Sequence, residues 1–202
     1  NQPGRLGTDP ASGSEHVRVI VVGAGFAGIG AAIRLRQAGI AFALLEKSGE
    51  IGGVWRDNTY PDCACDIPSA FYSYSFAPNP RWSRFFAAQT EIRDYCQAVA
   101  ARFGVMPFVR VNHELKQAVW DPGMRHWRLE TSAGRFTADF VIMACGPMHQ
   151  PRLPRIKGLD SFAGASFHSA RWDHSYDLTD KRIAVIGSGA SAIQFLPAIQ
   201  PR

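Results

Sequence analysis

Val17-Arg-Val-Ile-Val-Val22, followed without a break by Gly23-Ala-Gly-Phe-Ala-Gly28, decides the fold. A nearly continuous β-branched run of this kind is what a strand buried on both faces requires. From Ile29 to Ala38 the apolar residues recur at helical spacing, with Arg34, Arg36 and Gln37 between them, and Gly39 stands where such a helix stops. A second strand, Ala41-Phe-Ala-Leu-Leu-Glu46, ends in an acid. Strand, glycine turn, helix, strand and acid is the order of a dinucleotide-binding βαβ unit. Gly23 permits the tight turn, Gly25 lets the backbone approach a pyrophosphate, and Gly28 allows the helix to pack closely on the sheet. The phosphate then faces free N–H groups and the positive end of a helix. Glu46 lies about 20 residues further on, where an acid accepts hydrogen bonds from both hydroxyls of an adenosine ribose; that disfavours a 2′-phosphate, so this first site is expected to take FAD or NAD rather than NADP.

Outward from this unit, Lys47 to Gln89 is rich in Gly, Pro, Tyr, Phe and Ser without a sustained period and reads as a long ordered excursion, of a kind that tends to be functional. Thr90 to Phe103 has helical spacing, with Thr90 as a candidate cap and Gly104 as a candidate stop. Three strand-like runs, Leu115–Trp120, His126–Glu130 and Arg135–Met143, are separated by the turn sequences Asp121-Pro-Gly123 and Thr131-Ser-Ala-Gly134, which predicts a small antiparallel β-meander. Pro147 to Pro154 is punctuated by proline and reads as a crossing between domains. A second βα start follows: Arg182-Ile-Ala-Val-Ile186, then Gly187-Ser-Gly-Ala-Ser-Ala192, then a helical pattern to Ile199. The expected fold class is α/β, with two Rossmann-like dinucleotide-binding folds, the second truncated, and the meander. Residues 1–16 read as a disordered leader, 17–150 as the N-terminal part of an FAD-binding domain, and 151–202 as a linker and the start of an NADP-binding domain. Two nucleotide folds in one chain suit hydride transfer from nicotinamide to flavin.

Composition narrows the alternatives. Of 202 residues, 22 are Lys or Arg and 17 Asp or Glu, and the surplus of positive charge is scattered, which suits small phosphorylated anions and disfavours nucleic acid. No apolar stretch approaches the roughly 20 residues that cross a bilayer. Cys63, Cys65, Cys96 and Cys145 fit a reducing compartment, so a cytoplasmic location is expected. Cys63-Ala-Cys65 lacks the spacing of a redox Cys-x-x-Cys pair, and the Cys and His residues form no metal-ligand pattern. The chain opens on Asn1 and closes just after a βα start, so it is expected to be a piece of something longer.

Phe162-Ala-Gly-Ala-Ser-Phe-His168-Ser-Ala-Arg-Trp172-Asp173 matches the FxGxxxHxxxW(P/D) signature of Baeyer–Villiger monooxygenases at every defined position, just before the second glycine motif. Gly52-Gly-Val-Trp55, Tyr60-Pro61, Cys65-Asp-Ile-Pro-Ser69, Tyr72-Ser-Tyr-Ser-Phe76 and Ala144-Cys-Gly-Pro147 also resemble that family, so the resemblance covers Val17 to Arg202. It implies an enzyme in which NADPH reduces bound FAD, the reduced flavin activates O2, and a ketone becomes an ester or lactone. Related N- and S-oxygenating flavin monooxygenases usually carry Tyr or Phe in place of Trp172. They remain an alternative, as does a non-catalytic FAD-binding module. A dry, enclosed flavin face is the physical requirement, and the aromatic excursion from Trp55 to Phe86 could wall it.

By matched position, the resemblance implies that Gly23, Gly25, Phe26, Ala27, Gly28 and Glu46 hold the adenosine half of FAD. Gly53, Val54, Trp55, Asp66 and Tyr72 would lie along the flavin side, Leu115 and Ala144 near adenine and diphosphate, and Gly187, Ser188, Gly189, Ala190 and Ser191 would take NADP. Asp66 would tune an oxygen-activating arginine that lies outside this chain. His168, although its ordinary pKa invites a proton-transfer role, would belong to a hinge that couples NADP to oxygenation. The chain departs from the family at Asp62 and Cys63, where Gly-Ala is common, and at Cys145, where Thr or Ser is usual.

Overall fold

The computed structural model describes residues 7–9 and 14–200. Two compact units emerge, one formed by the described residues up to Gly53 together with Tyr95–Gly146, the other by Val54–Asp94 together with Pro147 onward. Residues 54–94, which lie in the middle of the expected 17–150 span, cluster with the residues from Pro147 onward.

The first unit is a seven-stranded sheet. Its strands are β1 (Gly7–Asp9), β2 (Ser14–Val22), β3 (Phe42–Leu45), β4 (Val109–Arg110), β5 (Leu115–Asp121), β6 (His126–Thr131) and β7 (Gly134–Met143), in the order β4-β3-β2-β7-β6-β5 with β1 paired to β2. Between β2 and β3 runs α1 (Phe26–Gln37), and β2 pairs in parallel with both β3 and β7. β2 is central because Ile20 and Val21 are wholly buried, as are Leu44 and Leu45 on β3 and Ile29 and Ile33 on α1. Burial of each such side chain contributes about 1.5–3 kcal/mol. The expected meander forms, with β5, β6 and β7 antiparallel, but it is not a separate sheet. β7 is long enough to pair with β6 at one end and with β2 along its length, so meander and parallel strands share one sheet. The Asp121 turn closes as its residues predict: Oδ1 accepts from the N–H of Gly123 and of Met124.

Three expectations are corrected. The leader is not wholly without structure: residues 7–9 form β1, and residues 14–16 lengthen β2 and pair with β1 in antiparallel fashion; the rest of 1–16, apart from these, lies outside the described residues. The helix expected from Thr90 is α3 (Gln89–Arg102), and the N–H of Ile92 bonds the carbonyl of Ala88, which places Thr90 inside the first turn rather than at its cap. The strand expected over Arg182–Ile186 does not form. A strand needs a neighbour for its N–H and C=O groups, none of the described residues supplies one, and Ile183 and Ile186 are exposed.

The second unit is mostly irregular. It contains α2 (Val54–Asp57), α4 (Ala190–Ile199) and short 3₁₀ turns at Ser69–Phe71, Leu159–Ser161 and Ser169–Arg171. Its core joins Tyr60, Cys63 and Leu178 to Ala192, Phe195 and Ile199 of α4, with Trp55, Trp172 and Val185 packed against it. The excursion's backbone is satisfied by loop-to-loop bonds rather than a ladder: Cys65 N–H to Ala87, Ser69 N–H to Phe85, and Gln89 N–H to Cys63. Among the described residues, no helix is long and apolar enough to cross a membrane.

Candidate dinucleotide sites

The first glycine turn is held by backbone crowding. Gly23 has φ of +101°, and a Cβ there would lie 2.7 Å from the carbonyl oxygen of Ala144. At Gly28 a Cβ would lie 1.8 Å from the carbonyl oxygen of Gly23, so α1 sits against the turn at a distance only glycine allows. Gly25 is the N-cap of α1 in extended conformation, and it faces Gly53: a Cβ on Gly53 would come within 2.9 Å of the Gly25 Cα. Two glycine backbones thus meet at the start of a helix whose N-cap, Gly25, has no side chain to cap it. Phe26 and Ala27 open α1, and Ala27 is exposed; Phe26 stacks on Tyr95 at 6.0 Å. Gly52 ties this second glycine loop to the first by donating its N–H to the carbonyl of Ala24 at 2.9 Å.

Glu46 is 4% exposed. One carboxylate oxygen accepts from the N–H of Ala24 at 2.9 Å and the other from the N–H of Ser48 at 3.0 Å. The acid expected to read a ribose therefore also clamps the glycine turn to the end of β3. Ala144 continues β7 by donating its N–H to Val22, and Leu115 packs at the margin of the sheet core. Cys145 packs there too, its thiol pushed up by burial and then by the Glu46 carboxylate.

In the second unit, Trp55 donates its indole N–H to the Tyr72 hydroxyl at 2.9 Å, with the rings edge to face at 5.4 Å. Val54 opens the helix that carries Trp55, and the Gln89 side-chain amide bonds the Trp55 carbonyl. Asp66 is exposed, on the loop that follows buried Cys65. His168 caps the Ser169–Arg171 turn, its Nδ1 accepting from the N–H of Ala170 at 3.0 Å, so that nitrogen carries no proton in this contact. Trp172 packs on Phe167 at 5.3 Å and on Phe195 of α4 at 5.1 Å. The signature segment is thereby anchored to the helix that the second glycine motif opens.

That motif repeats the backbone of the first. Gly187 has φ of +120°, like Gly23, and Gly189 is the extended N-cap of α4, like Gly25 for α1. Ser188 and Ala190 are exposed, and Ser191 lies beside the Tyr60 hydroxyl. Gln194 lies in no motif of the sequence, and Tyr60 belongs to the Tyr60-Pro61 resemblance without a role of its own. Gln194 accepts the Tyr60 hydroxyl at 2.9 Å and bonds both the N–H and the C=O of Ala64, and Tyr60 itself has its pKa pushed up to about 12, first by burial. A glutamine on the half-buried face of a helix carries no signal in sequence beyond its polarity. The cysteines are free thiols, and burial pushes those of Cys63 and Cys65 up, the reverse of what a reactive thiolate needs. Among the described residues there is no cluster of His, Cys, Asp or Glu that could hold a metal ion.

A glycine turn wedged between two parallel strands and the start of a helix, with a buried acid behind it, defines an α/β dinucleotide-binding protein. The pyridine nucleotide-disulphide oxidoreductase family model matches residues 20–197, and the chain belongs to that family. It is 56% identical over 189 residues to a Baeyer–Villiger monooxygenase of Streptomyces coelicolor, covering 93% of this chain and 36% of that one. A Baeyer–Villiger monooxygenase of Pseudomonas aeruginosa is 45% identical over 199 residues, covering 97% of this chain and 38% of its own length. Among solved structures, oxidized steroid monooxygenase bound to NADP superposes with a TM-score of 0.82 at 40% identity, over 92% of this chain and 37% of that one. Closed cyclohexanone monooxygenase gives 0.84 at 29% identity, over 93% and 36%. The chain thus spans a little over a third of the length of these relatives.

Proposed function

We propose that this chain supplies the FAD-binding start and the opening of the NADP site of a Baeyer–Villiger monooxygenase, with the overall conversion ketone + O2 + NADPH + H⁺ to ester or lactone + NADP⁺ + H2O. The observation that carries the reading is the repetition of one backbone geometry at two glycine motifs, Gly23–Gly28 and Gly187–Ala192, each opening a helix. The signature from Phe162 to Asp173 and the relatives named as Baeyer–Villiger monooxygenases support the choice of reaction.

The residues fit a bound dinucleotide at the first site. Gly25 and Gly53 form a cradle that a Cβ would fill, at the N-terminus of α1, the end of a helix suited to a diphosphate. Gly23, Phe26, Ala27, Gly28 and Ala144 shape its walls, and Glu46 stands behind the turn for the ribose. Val54, Trp55, Asp66 and Tyr72 would face the flavin side, Trp55 and Tyr72 held rigid by their mutual hydrogen bond. FAD, when bound, supplies the redox chemistry between the nicotinamide and O2. At the second site Gly187, Ser188, Gly189, Ala190 and Ser191 would receive NADP. The His168 cap and the Trp172 packing would hold the signature segment to α4, so that nucleotide contact at the helix start is passed to it. We place the protein in a reducing compartment, the cytoplasm.

The test is the visible spectrum of the purified protein after mixing with FAD and removing free cofactor, followed by NADPH consumption and product analysis. A retained band near roughly 450 nm is the ordinary flavin absorption. The complete protein is expected to retain it and to convert ketones, rather than amines or sulfides, with ester formation matching NADPH use. Failure of the complete protein to retain flavin, or oxygenation confined to N and S atoms, overturns the reading.

A further inference from the structure

The Tyr60–Asp66 loop and α4 are joined at one side chain. The Gln194 Oε1 accepts from the Tyr60 hydroxyl at 2.9 Å and from the Ala64 N–H at 3.3 Å, while its Nε2 donates to the Ala64 carbonyl at 2.9 Å. Through the amide both polar groups of one loop residue are bound, an arrangement that holds Ala64 in position as well as in register. Tyr60 adds a second point of approach, since its hydroxyl also lies beside the Cys63 thiol and the Ser191 hydroxyl, within the glycine motif. Tyr60, Cys63, Phe195 and Ala192 pack together beneath these bonds, so the polar contacts sit on a shared apolar base. One residue beyond the bound Ala64 is buried Cys65, and the next is Asp66.

The geometry points to Gln194 as a positioning residue: it transmits occupancy of the second glycine motif, through α4, to the loop that carries Asp66. This rests on the reading of Gly187–Ala192 as the NADP site. Helix α4 starts at that motif, and Gln194 lies on its second turn, one turn beyond Ser191. A nucleotide that orders the start of α4 orders Gln194, and with it Ala64. The phenol stays a donor throughout the working range, since its pKa is pushed up to about 12.

The loop's own cysteines report its order. Cys63 is 7% exposed and Cys65 2%, so an alkylating reagent reaches them only when the loop opens; Cys96 is wholly buried in a different segment and reports wider unfolding. The complete flavoprotein, in wild-type, Q194A and Y60F forms, is pulsed with N-ethylmaleimide with and without saturating NADP⁺. Labelling at each cysteine is read by peptide mass spectrometry, and NADP⁺ binding is measured separately by calorimetry. In the wild type, NADP⁺ is expected to slow labelling of Cys63 and Cys65 by about fivefold or more, the size of one net hydrogen bond, and to leave Cys96 unchanged. Q194A is expected to label Cys63 and Cys65 faster by about five- to thirtyfold without nucleotide, and to lose the response to NADP⁺ while still binding it. If Q194A also speeds Cys96, Y60F carries the comparison, since it removes only the phenol's bonds. The inference is overturned if NADP⁺ binds the wild type without slowing Cys63 and Cys65, or if the variant that keeps Cys96 protected retains the full response. Absence of any NADP⁺ binding to the wild type overturns instead the reading of the second motif, and this inference with it.

Discussion

Replacing Gly28 by Ala and Gly25 by Ala separates folding from cofactor binding at the first glycine turn. The methyl added at Gly28 would sit 1.8 Å from the Gly23 carbonyl oxygen, 2.9 Å from its carbon and 3.3 Å from a Leu44 methyl. The nearest atom is backbone, held in a turn where Gly23 itself has φ of +101°, so it cannot rotate away. Relief requires α1 to move off β2 and β3 by more than an ångström, which opens the core in which Ile29 and Ile33 of α1 and Val21 and Leu44 of the strands are all wholly buried. Overpacking costs about 1–3 kcal/mol and occasionally more, and lost contact of two isoleucines adds to it, so about 3–5 kcal/mol is expected. For a chain of this size each kcal/mol lowers Tm by about 2–4 °C, so the fall is about 6–20 °C. At Gly25 the same methyl meets only the Gly53 Cα, at an ordinary 3.5 Å, and φ is −84°. G25A is therefore expected to unfold within about 2 °C of wild type, yet to retain little FAD because the methyl fills the cradle. Thermal unfolding by circular dichroism, with flavin retention by absorbance, reads both. A G28A protein that melts with the wild type, or a G25A protein that retains flavin fully, refutes the reasoning.

Glu46→Gln replaces one acceptor oxygen by an NH2 that must face the N–H of Ala24 or Ser48; a loss of about 1–3 kcal/mol is expected in urea unfolding. Asp62 has φ of +55°, a left-handed conformation that glycine adopts without a Cβ penalty, so D62G is expected to raise stability by up to about 1 kcal/mol, seen as a higher urea midpoint at unchanged slope. Tyr60 and Cys96 have pKa values pushed up by burial to about 12, from 10.0 and 9.0. Their protonated forms are favoured by folding, so stability they contribute is full below pH 9 and is lost as pH rises from about 9 toward 12. Chemical denaturation at stepped pH should show this fall, and Y60F with C96A should flatten it.

Much of this protein could be read from local sequence because its signals are local. The β-branched run at Val17–Val22, the three glycines and the helical spacing after them prescribe strand, turn and helix within about 30 residues, and backbone sterics at Gly23 and Gly28 admit little else. The same holds for the antiparallel runs, whose turns at Asp121 and Gly134 close over a few residues. Tertiary structure decided what depends on partners distant in the chain. β7 joined the meander to the parallel sheet because β2 offered a free edge more than 100 residues earlier. The apolar run at Arg182–Ile186 matched a strand in pattern but finds no strand to pair with among the described residues, and pattern alone cannot form a ladder. Glu46 was legible as an acid at the right spacing, yet that its two oxygens bind the N–H groups of Ala24 and Ser48 follows only from the packed turn. Gln194 is the extreme case: a polar residue on a helix face acquires its role because folding brings Tyr60 and Ala64 to it from about 130 residues away.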